Sequence, residues 1–268
     1  MRDLRDAKAM AQSLREEMST KHIALTHGET LEIVSKMLGL ADWNTLSALI
    51  VSDREPVQPR PNGQVGATLP VLPIKDLIPF PATQLPLWIK RPKTIQALSK
   101  AFSSGREIVL VAQKSQTVDE PSRDDVYDVG VIARVLDVGP PSDDMIVRSP
   151  VLEGSTQVLL QTQGRVNIRN FSGQAGSYEA DVELIDEGPI QNSPELIERA
   201  ATLFDSYVAA HDIVVPQMWP PIRRLNDPGR VADLMVQRLP FALELRQTVL
   251  ATIDPIAKLE LVVAQMEA

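Results

Sequence analysis

The sequence predicts an α+β protein with three parts: a small N-terminal helical module, a β-barrel-like domain and a C-terminal helical subdomain. Apolar residues recur at helical spacing near the N-terminus, give way to short β-branched runs, and return to helical spacing near the end. A polar stretch rich in Pro and Gly separates the first part from the rest. The predicted boundaries are 1–52 for the helical module, 53–67 for a linker, 68–190 for the β-domain and 191–268 for the helical subdomain.

The N-terminal module is predicted to consist of short helices. Thr26 and Glu29 have the spacing of a capping box, and an apolar helical pattern follows them. Gly39 is expected to end that helix, and Asp42 is expected to begin another.

The β-domain is predicted from short β-branched runs that Gly, Pro, Asp or Ser separate. The predicted strands are 107–112, 129–138, 145–147, 158–161, 166–168 and 178–184. One helix is expected near 92–102, and Phe80 and Phe171 are expected in the core. Many strands with one early helix indicate a compact, barrel-like sheet.

The C-terminal subdomain shows clear helix start and stop signals. Ser193 before Pro194 predicts an N-cap with proline at the first helical position, and Asp227 before Pro228 repeats the pattern. Leu239-Pro240 should end the second helix, and further helices are predicted at 243–253 and 255–266. The last helix is compatible both with closing its own bundle and with pairing to a second copy of the chain as a homo-oligomer.

Composition and charge argue against several functional classes. The net charge is −8 and the pI is about 5.0, whereas a mainly electrostatic nucleic-acid binder shows a basic face. There are no cysteines, which fits a reducing compartment. The N-terminus lacks an apolar signal core, and no apolar run approaches the roughly 20 residues that span a bilayer. A cytoplasmic protein without a membrane segment is the expectation.

Motifs for catalysis are absent from the sequence. It contains no phosphate loop, no G-x-G-x-x-G, no G-x-S-x-G and no H-E-x-x-H. The three histidines, His22, His27 and His211, are interpreted as surface or cap residues because their spacing does not suit a metal site. No catalytic residue, cofactor or metal ligand is therefore predicted.

An acidic cluster in TVDEPSRDDVYD is the strongest local charge feature. Oxygen ligands of this kind are what a divalent cation would need. A solvated loop between two strands, with Pro121 and the aspartates forming turns, is the favoured interpretation. The acidic residues are Asp119, Glu120, Asp124, Asp125 and Asp128.

Several ordered motifs carry a resemblance to a known family. They are LPIKD at 72–76, PFP at 79–81, LPL at 85–87, RPKTIQAL at 91–98, LVAQK at 110–114, DVYDVG at 125–130, ARVL at 133–136, QGRV at 163–166, DPGRVAD at 227–233 and LP at 239–240. With this order and spacing the chain resembles the N-terminal domain of Lon proteases from about residue 70 to the end.

The resemblance implies a fold and a function. It implies a PUA-like β-domain with a helical subdomain, which in the family recognises unfolded or degron-bearing proteins and helps ring assembly. The family's ATPase and protease modules would follow residue 268 and are expected to be missing. The prediction is a non-catalytic protein-binding module, an adaptor or competitor in ATP-dependent proteolysis, whose partners are unfolded or degron-bearing proteins and a full-length Lon protease. The alternative is a small-ligand or RNA-binding PUA-like protein.

Residues 1–52 resemble a different group, a small helical module of bacterial proteins known as glyoxalase-related. The resemblance rests on AKAM at 7–10 and LGLADWNTL at 38–46. Two histidines within 52 residues do not assemble the metal set of a glyoxalase, so this part is interpreted as an interaction module.

Protein-binding candidates come from loops near apolar residues. For Trp88 and Trp219, both an exposed binding anchor and a packing role stay open. The predicted binding residues are Phe80, Leu85, Trp88, Met218 and Trp219.

Overall fold

The structure, a computed structural model, describes residues 12–15, 17–18, 25–37, 67–141, 143–173, 176–188, 191–215 and 221–268. The chain divides into two compact units, 1–61 and 62–268.

The first unit contains helix α1 (His27–Met37), and residues 12–15 and 17–18 are also helical. The predicted capping box at its start is confirmed. The backbone N–H of Thr26 donates to Glu29 Oε2 at 2.8 Å, and the backbone N–H of Glu29 donates to Thr26 Oγ1 at 3.2 Å. The predicted stop at Gly39 and the helix from Asp42 lie outside the described residues.

The second unit contains the sheet and the remaining helices. The strands are β1 (Ala67–Ile74), β2 (Gln84–Ile89), β3 (Glu107–Ala112), β4 (Val129–Gly139), β5 (Thr156–Ser172) and β6 (Glu179–Leu184). The helices are α2 (Pro92–Ser103), α3 (Asp143–Arg148), α4 (Pro194–Ala210), α5 (Pro228–Val236), α6 (Leu243–Ala251) and α7 (Pro255–Glu267). The α+β class is confirmed.

The sheet closes on itself. Its strand order is β2-β5-β4-β3-β1-β6, and β6 also pairs with β5. Strands β5, β4, β3, β1 and β6 therefore form a ring, which β5 can complete because it is 17 residues long and pairs along different parts of its length. Strand β2 lies outside the ring as an edge strand alongside β5.

Two predictions in the β-domain were wrong. Residues 145–147, predicted as a strand, lie within helix α3. The strands predicted at 158–161 and 166–168 are parts of the single strand β5, which continues through Gly164. Glycine in a strand often marks a bulge, and the register between β4 and β5 does shift between Val131 and Ala133, opposite residues 163 and 164, while β5 continues as one strand.

Sequence reasoning also missed β1 and β2, because prolines fall within them. In β1, the N–H of Val71 donates to Tyr178 O on the β6 side, so alternate backbone nitrogens face β6 and β3. The backbone nitrogen of Pro70 is on the β3 side, before the first residue of β1 that pairs with β3. The backbone nitrogen of Pro73 is on the β6 side, beyond the last residue of β1 that pairs with β6. Each proline thus sits where no ladder hydrogen bond is required.

Helices α4, α5, α6 and α7 share one apolar cluster with Phe80, Ala112 and Val131 of the β-domain. Two further clusters lie on opposite faces of the sheet, because neighbouring residues of β1 and β3 alternate between them: one lies beneath α2, and the other contains residues from all five strands of the ring. The core positions predicted for Phe80 and Phe171 are confirmed, since both are buried.

Helix starts in this subdomain partly follow the prediction. Asp227 caps α5 by accepting from the N–H groups of Gly229 and Arg230. Ser193 occupies the N-cap position of α4, but its hydroxyl makes no capping hydrogen bond.

Arg165 ties the barrel to the helices. It lies on β5, its side chain is 2% exposed, and its Nε donates to Glu187 Oε1 at 2.8 Å. Its Nη1 donates to the carbonyl oxygens of Leu250 at 2.9 Å and Thr252 at 2.6 Å. These carbonyls end α6, where helix carbonyls lack partners within the helix and a cation is favoured.

A buried ion pair connects two helices of the same subdomain. Lys258 Nζ of α7 lies 2.5 Å from Asp233 Oδ1 of α5, and both side chains are buried. Breaking such a pair leaves an uncompensated buried charge, so it fixes how the two helices meet.

Candidate functional site

The predicted binding residues fall in different environments. Phe80 is 2% exposed and belongs to the core, so it presents no surface to a partner. Leu85 is half-buried and packs against the apolar cluster beneath α2. Trp88 is 39% exposed, so it is a surface residue of β2. Met218 and Trp219 lie outside the described residues.

Trp88 belongs to a three-strand surface on the side of β2, β5 and β4 that faces away from α2 and its apolar cluster. The register aligns Trp88 with Gln157 and Gly139 in one row. The next row aligns Pro86 with Leu159 and Asp137, and the third aligns Gln84 with Gln161 and Arg134. These three rows, together with Leu136, form a surface that we call the Trp88 face. Rows on one side of a strand are about 6.6–6.8 Å apart, so the face spans roughly 14 Å along the strands.

A β-bulge adds Leu136 to this face. The register between β4 and β5 shifts between Val135 and Asp137, which places the extra residue Leu136 near Leu159. Val135 and Val138 on either side pack into the apolar cluster beneath α2, whereas Leu136 is half-buried and outside that cluster. The bulge therefore widens the apolar middle of the surface.

The Trp88 face combines an apolar centre with uncharged amides. Pro86 and Trp88 are exposed, and Leu136 and Leu159 are half-buried. Glutamines at 84, 157 and 161 flank them, and charge is restricted to Arg134 and Asp137 on β4. An exposed apolar area with a polar rim is typical of a binding surface.

One edge of the face is free of a strand. Among the described strands, only β5 pairs with β2. At Gly139, beside Gln157, a Cβ would meet no atom within 4 Å, so there is free space in the row of Trp88.

The free edge of β2 is poorly suited to accept another strand. The N–H of Thr162 donates to Thr83 O at 2.9 Å, so odd-numbered residues turn their backbone polar groups toward β5. The even-numbered residues Gln84, Pro86 and Trp88 turn theirs toward the free edge. Pro86, in the middle, has no N–H to donate there, which is a common protection against strand addition.

The loop before β2 is held firmly. Arg230 of α5 donates from Nη1 to the carbonyl of Pro81 at 2.6 Å and from Nη2 to that of Ala82 at 2.9 Å. Thr162 Oγ1 accepts from the N–H of Thr83 at 2.7 Å and contacts the carbonyl of Phe80 at 2.7 Å. These contacts from α5 and β5 fix where β2 begins and hence where Trp88 lies.

The acidic cluster is a loop between β3 and β4, as favoured from the sequence. Asp119 pairs with Lys75 at 2.7 Å, and Glu120 pairs with Lys93 at 2.9 Å. Hydrogen bonds from the Ser122 hydroxyl and N–H hold the pKa of Asp125 below its ordinary value. Within the described residues, no group of three acidic or histidine side chains is arranged to hold a metal ion.

Other candidate groups have local structural roles. Nδ1 of His211, at the C-cap of α4, lies 2.9 Å from Tyr207 O, and the two rings stack. The interpretation of His211 as a cap residue is confirmed. Among the described helices, none combines the length and apolar character needed to cross a bilayer.

Comparison with known families accounts for most of the chain. The family described as "ATP-dependent protease La (LON) substrate-binding domain" matches residues 68–268. The chain therefore belongs to the Lon substrate-binding domain family. A second family, described as "Glyoxalase superfamily protein", matches residues 1–69.

Curated relatives are whole proteases. Lon protease 2 of Bdellovibrio bacteriovorus is 30% identical over 203 residues, which cover 74% of this chain and 24% of that protein. Lon protease of Escherichia coli is 29% identical over 202 residues, covering 75% of this chain and 24% of that protein. The chain thus matches about a quarter of the length of these relatives.

Solved structures show the same fold at low identity. The N-terminal domain of the Mycobacterium avium complex Lon protease superposes with a TM-score of 0.55 and 17% identity, covering 75% of this chain and 98% of that one. A Lon N-terminal domain protein from Xanthomonas campestris gives a TM-score of 0.54 and 14% identity, covering 74% and 98%.

Proposed function

We propose that the chain is a polypeptide-binding protein that acts as an adaptor or competitor in ATP-dependent proteolysis, without catalysing a reaction itself. Membership of a substrate-binding domain family supports a binding role. The observation that carries the proposal is the Trp88 face, which places an exposed tryptophan and proline beside half-buried leucines and three glutamines.

The proposed ligand is unfolded or degron-bearing protein. Unfolded chains expose apolar side chains that folded proteins bury, so an exposed tryptophan next to half-buried leucines suits them. A full-length Lon protease is the proposed second partner, with residues 1–52 serving as a separate interaction module. On this proposal the protein brings substrates to the protease or withholds them from it.

Binding to unfolded protein is the first test. Reduced, carboxymethylated α-lactalbumin, which stays unfolded, is titrated with the full chain and followed by fluorescence anisotropy. We expect saturable binding to the unfolded protein and none to native α-lactalbumin. Equal binding to both forms, or to neither, would contradict the proposal.

A degradation assay tests the role in proteolysis. A full-length Lon protease degrades a labelled unfolded substrate with increasing amounts of this chain. An adaptor would accelerate degradation at low concentration, whereas a competitor would slow it in proportion to the bound substrate. An unchanged rate at saturation rules out both roles, and peptidase activity of the purified chain would contradict a non-catalytic role.

A further inference from the structure

We infer that the Trp88 face binds an extended, uncharged apolar segment through side chains, and does not bind it by adding a strand to the sheet. The inference rests on the proposed function, for which it specifies the conformation of the ligand and the mode of binding. The edge of a sheet can hold a peptide in two ways, by pairing with it as an added strand or by contacts from its side chains.

Strand addition is disfavoured by the backbone of β2. A peptide added to the free edge would need the N–H groups that point outward, and of the three outward-facing residues only Gln84 and Trp88 have one. Pro86 interrupts the ladder in the middle. The unpaired edge of β2 is therefore poorly suited to pair with an added strand, and a bound segment has to rely on the side chains of the Trp88 face.

Those side chains suit an extended backbone. An extended segment exposes an N–H and a C=O at each residue, and these need partners when water is displaced. Gln84 and Gln157 carry amides that both donate and accept, in the two end rows of the face, whereas Gln161 Nε2 already donates to the carbonyls of Thr83 and Thr162. A helix satisfies its own backbone and would leave these amides unused.

Spacing and charge agree with this occupant. Side chains on one side of an extended chain repeat every 6.6–6.8 Å or so, the same distance that separates the rows of Trp88 and Pro86 along β2. Arg134 and Asp137 carry opposite charges on the same strand, so the face has no net preference for a charged ligand. An uncharged segment with alternate apolar residues fits it best.

Two fluorescein-labelled decapeptides test the conformation of the ligand against the full chain. One alternates leucine and serine and is extended; the other has the same leucines at helical spacing, with α-aminoisobutyrate in place of serine. We expect the extended peptide to bind at least about tenfold more tightly than the helical one, a difference of about 1.4 kcal/mol in binding free energy. Equal affinity, or preference for the helical peptide, would overturn the inference.

Variants locate the site and the binding mode. Trp88→Ala should weaken binding of the extended peptide about tenfold or more, as for an aromatic anchor. Phe102→Ala on α2 is the matched control, because Phe102 is also 39% exposed, and it should change the affinity less than about twofold. Equal effects of the two substitutions would show that the Trp88 face is not the site.

Two further variants keep the test independent of Trp88. Gly139→Glu places a carboxylate where a Cβ meets no neighbour, so the fold should tolerate it while peptide binding falls. Pro86→Thr restores an N–H at the free edge; strand addition predicts tighter binding, whereas binding to the face predicts unchanged or weaker binding. Tighter binding by Pro86→Thr would overturn the inference.

The outcomes separate this inference from the proposed function. If the wild-type chain does not bind carboxymethylated α-lactalbumin, the proposed function fails. If it binds that protein but Trp88→Ala and Gly139→Glu bind equally well, the function stands and the Trp88 face is not responsible.

Discussion

Replacing Arg165 by methionine tests whether one buried guanidinium holds the helical subdomain on the barrel. Methionine keeps the aliphatic part of the side chain but removes every donor. The carbonyls of Leu250 and Thr252 then lose the partner on β5, and Glu187 loses its cation.

The expected magnitude follows from the burial of each partner. Leu250 is completely buried, so its carbonyl would be left without a partner at a cost of about 1–3 kcal/mol. Glu187 is 53% exposed and can be hydrated, so loss of that ion pair contributes little. Removing a buried charge also recovers part of its desolvation cost. We expect Arg165→Met to lower the free energy of unfolding by about 1–3 kcal/mol.

Urea denaturation with hydrogen exchange measures this effect in the full chain. At a slope of about 2 kcal/mol per molar urea, the midpoint for peptides from α6 and β5 should fall by about 0.5–1.5 M. Glu187→Gln is the control and should cost less than about 1 kcal/mol. Equal losses for both variants would show that the ion pair, and not the carbonyl contacts, carries the stability. An unchanged midpoint for Arg165→Met would refute the reasoning altogether.

Two further predictions address the barrel and its acidic loop. Gly130→Ala should lower the free energy of unfolding by about 1–3 kcal/mol in urea denaturation, because its Cβ would lie 2.5 Å from the Leu110 carbonyl oxygen. The control Gly139→Ala, where a Cβ meets open space, should change the free energy of unfolding by less than about 0.5 kcal/mol. A larger loss for Gly139→Ala than for Gly130→Ala would contradict the packing. The hydrogen bond from Lys75 lowers the pKa of Asp119, so ¹³C titration should place the midpoint of this carboxyl below 3.8. The contribution of the Asp119 carboxylate to stability should therefore be present above pH 3.8 and lost as the pH falls through the lowered pKa. Lys75→Met should return the pKa toward 3.8, and a midpoint that does not move would contradict this cause.

Part of the fold could be predicted from local signals. The capping box at Thr26, the Asp227-Pro228 helix start and the strand at 107–112 were all identified correctly, because each depends on residues close in sequence. Strands β1 and β2 were missed because proline normally excludes a central strand. Whether its missing N–H matters depends on which neighbour lies beside it, and only the assembled sheet decides that.

The sequence by itself determined the α+β class, the family and Trp88 as a candidate, since motif order and apolar period are properties of the chain alone. Only the tertiary structure decided that Phe80 is buried and Trp88 exposed, although both are apolar residues in neighbouring segments. It also brought Leu136 and Leu159 beside Trp88, through a bulge and a register that connect residues about 50–70 positions apart. Burial and cross-strand neighbours follow from long-range pairing, which a one-residue change of register would reverse.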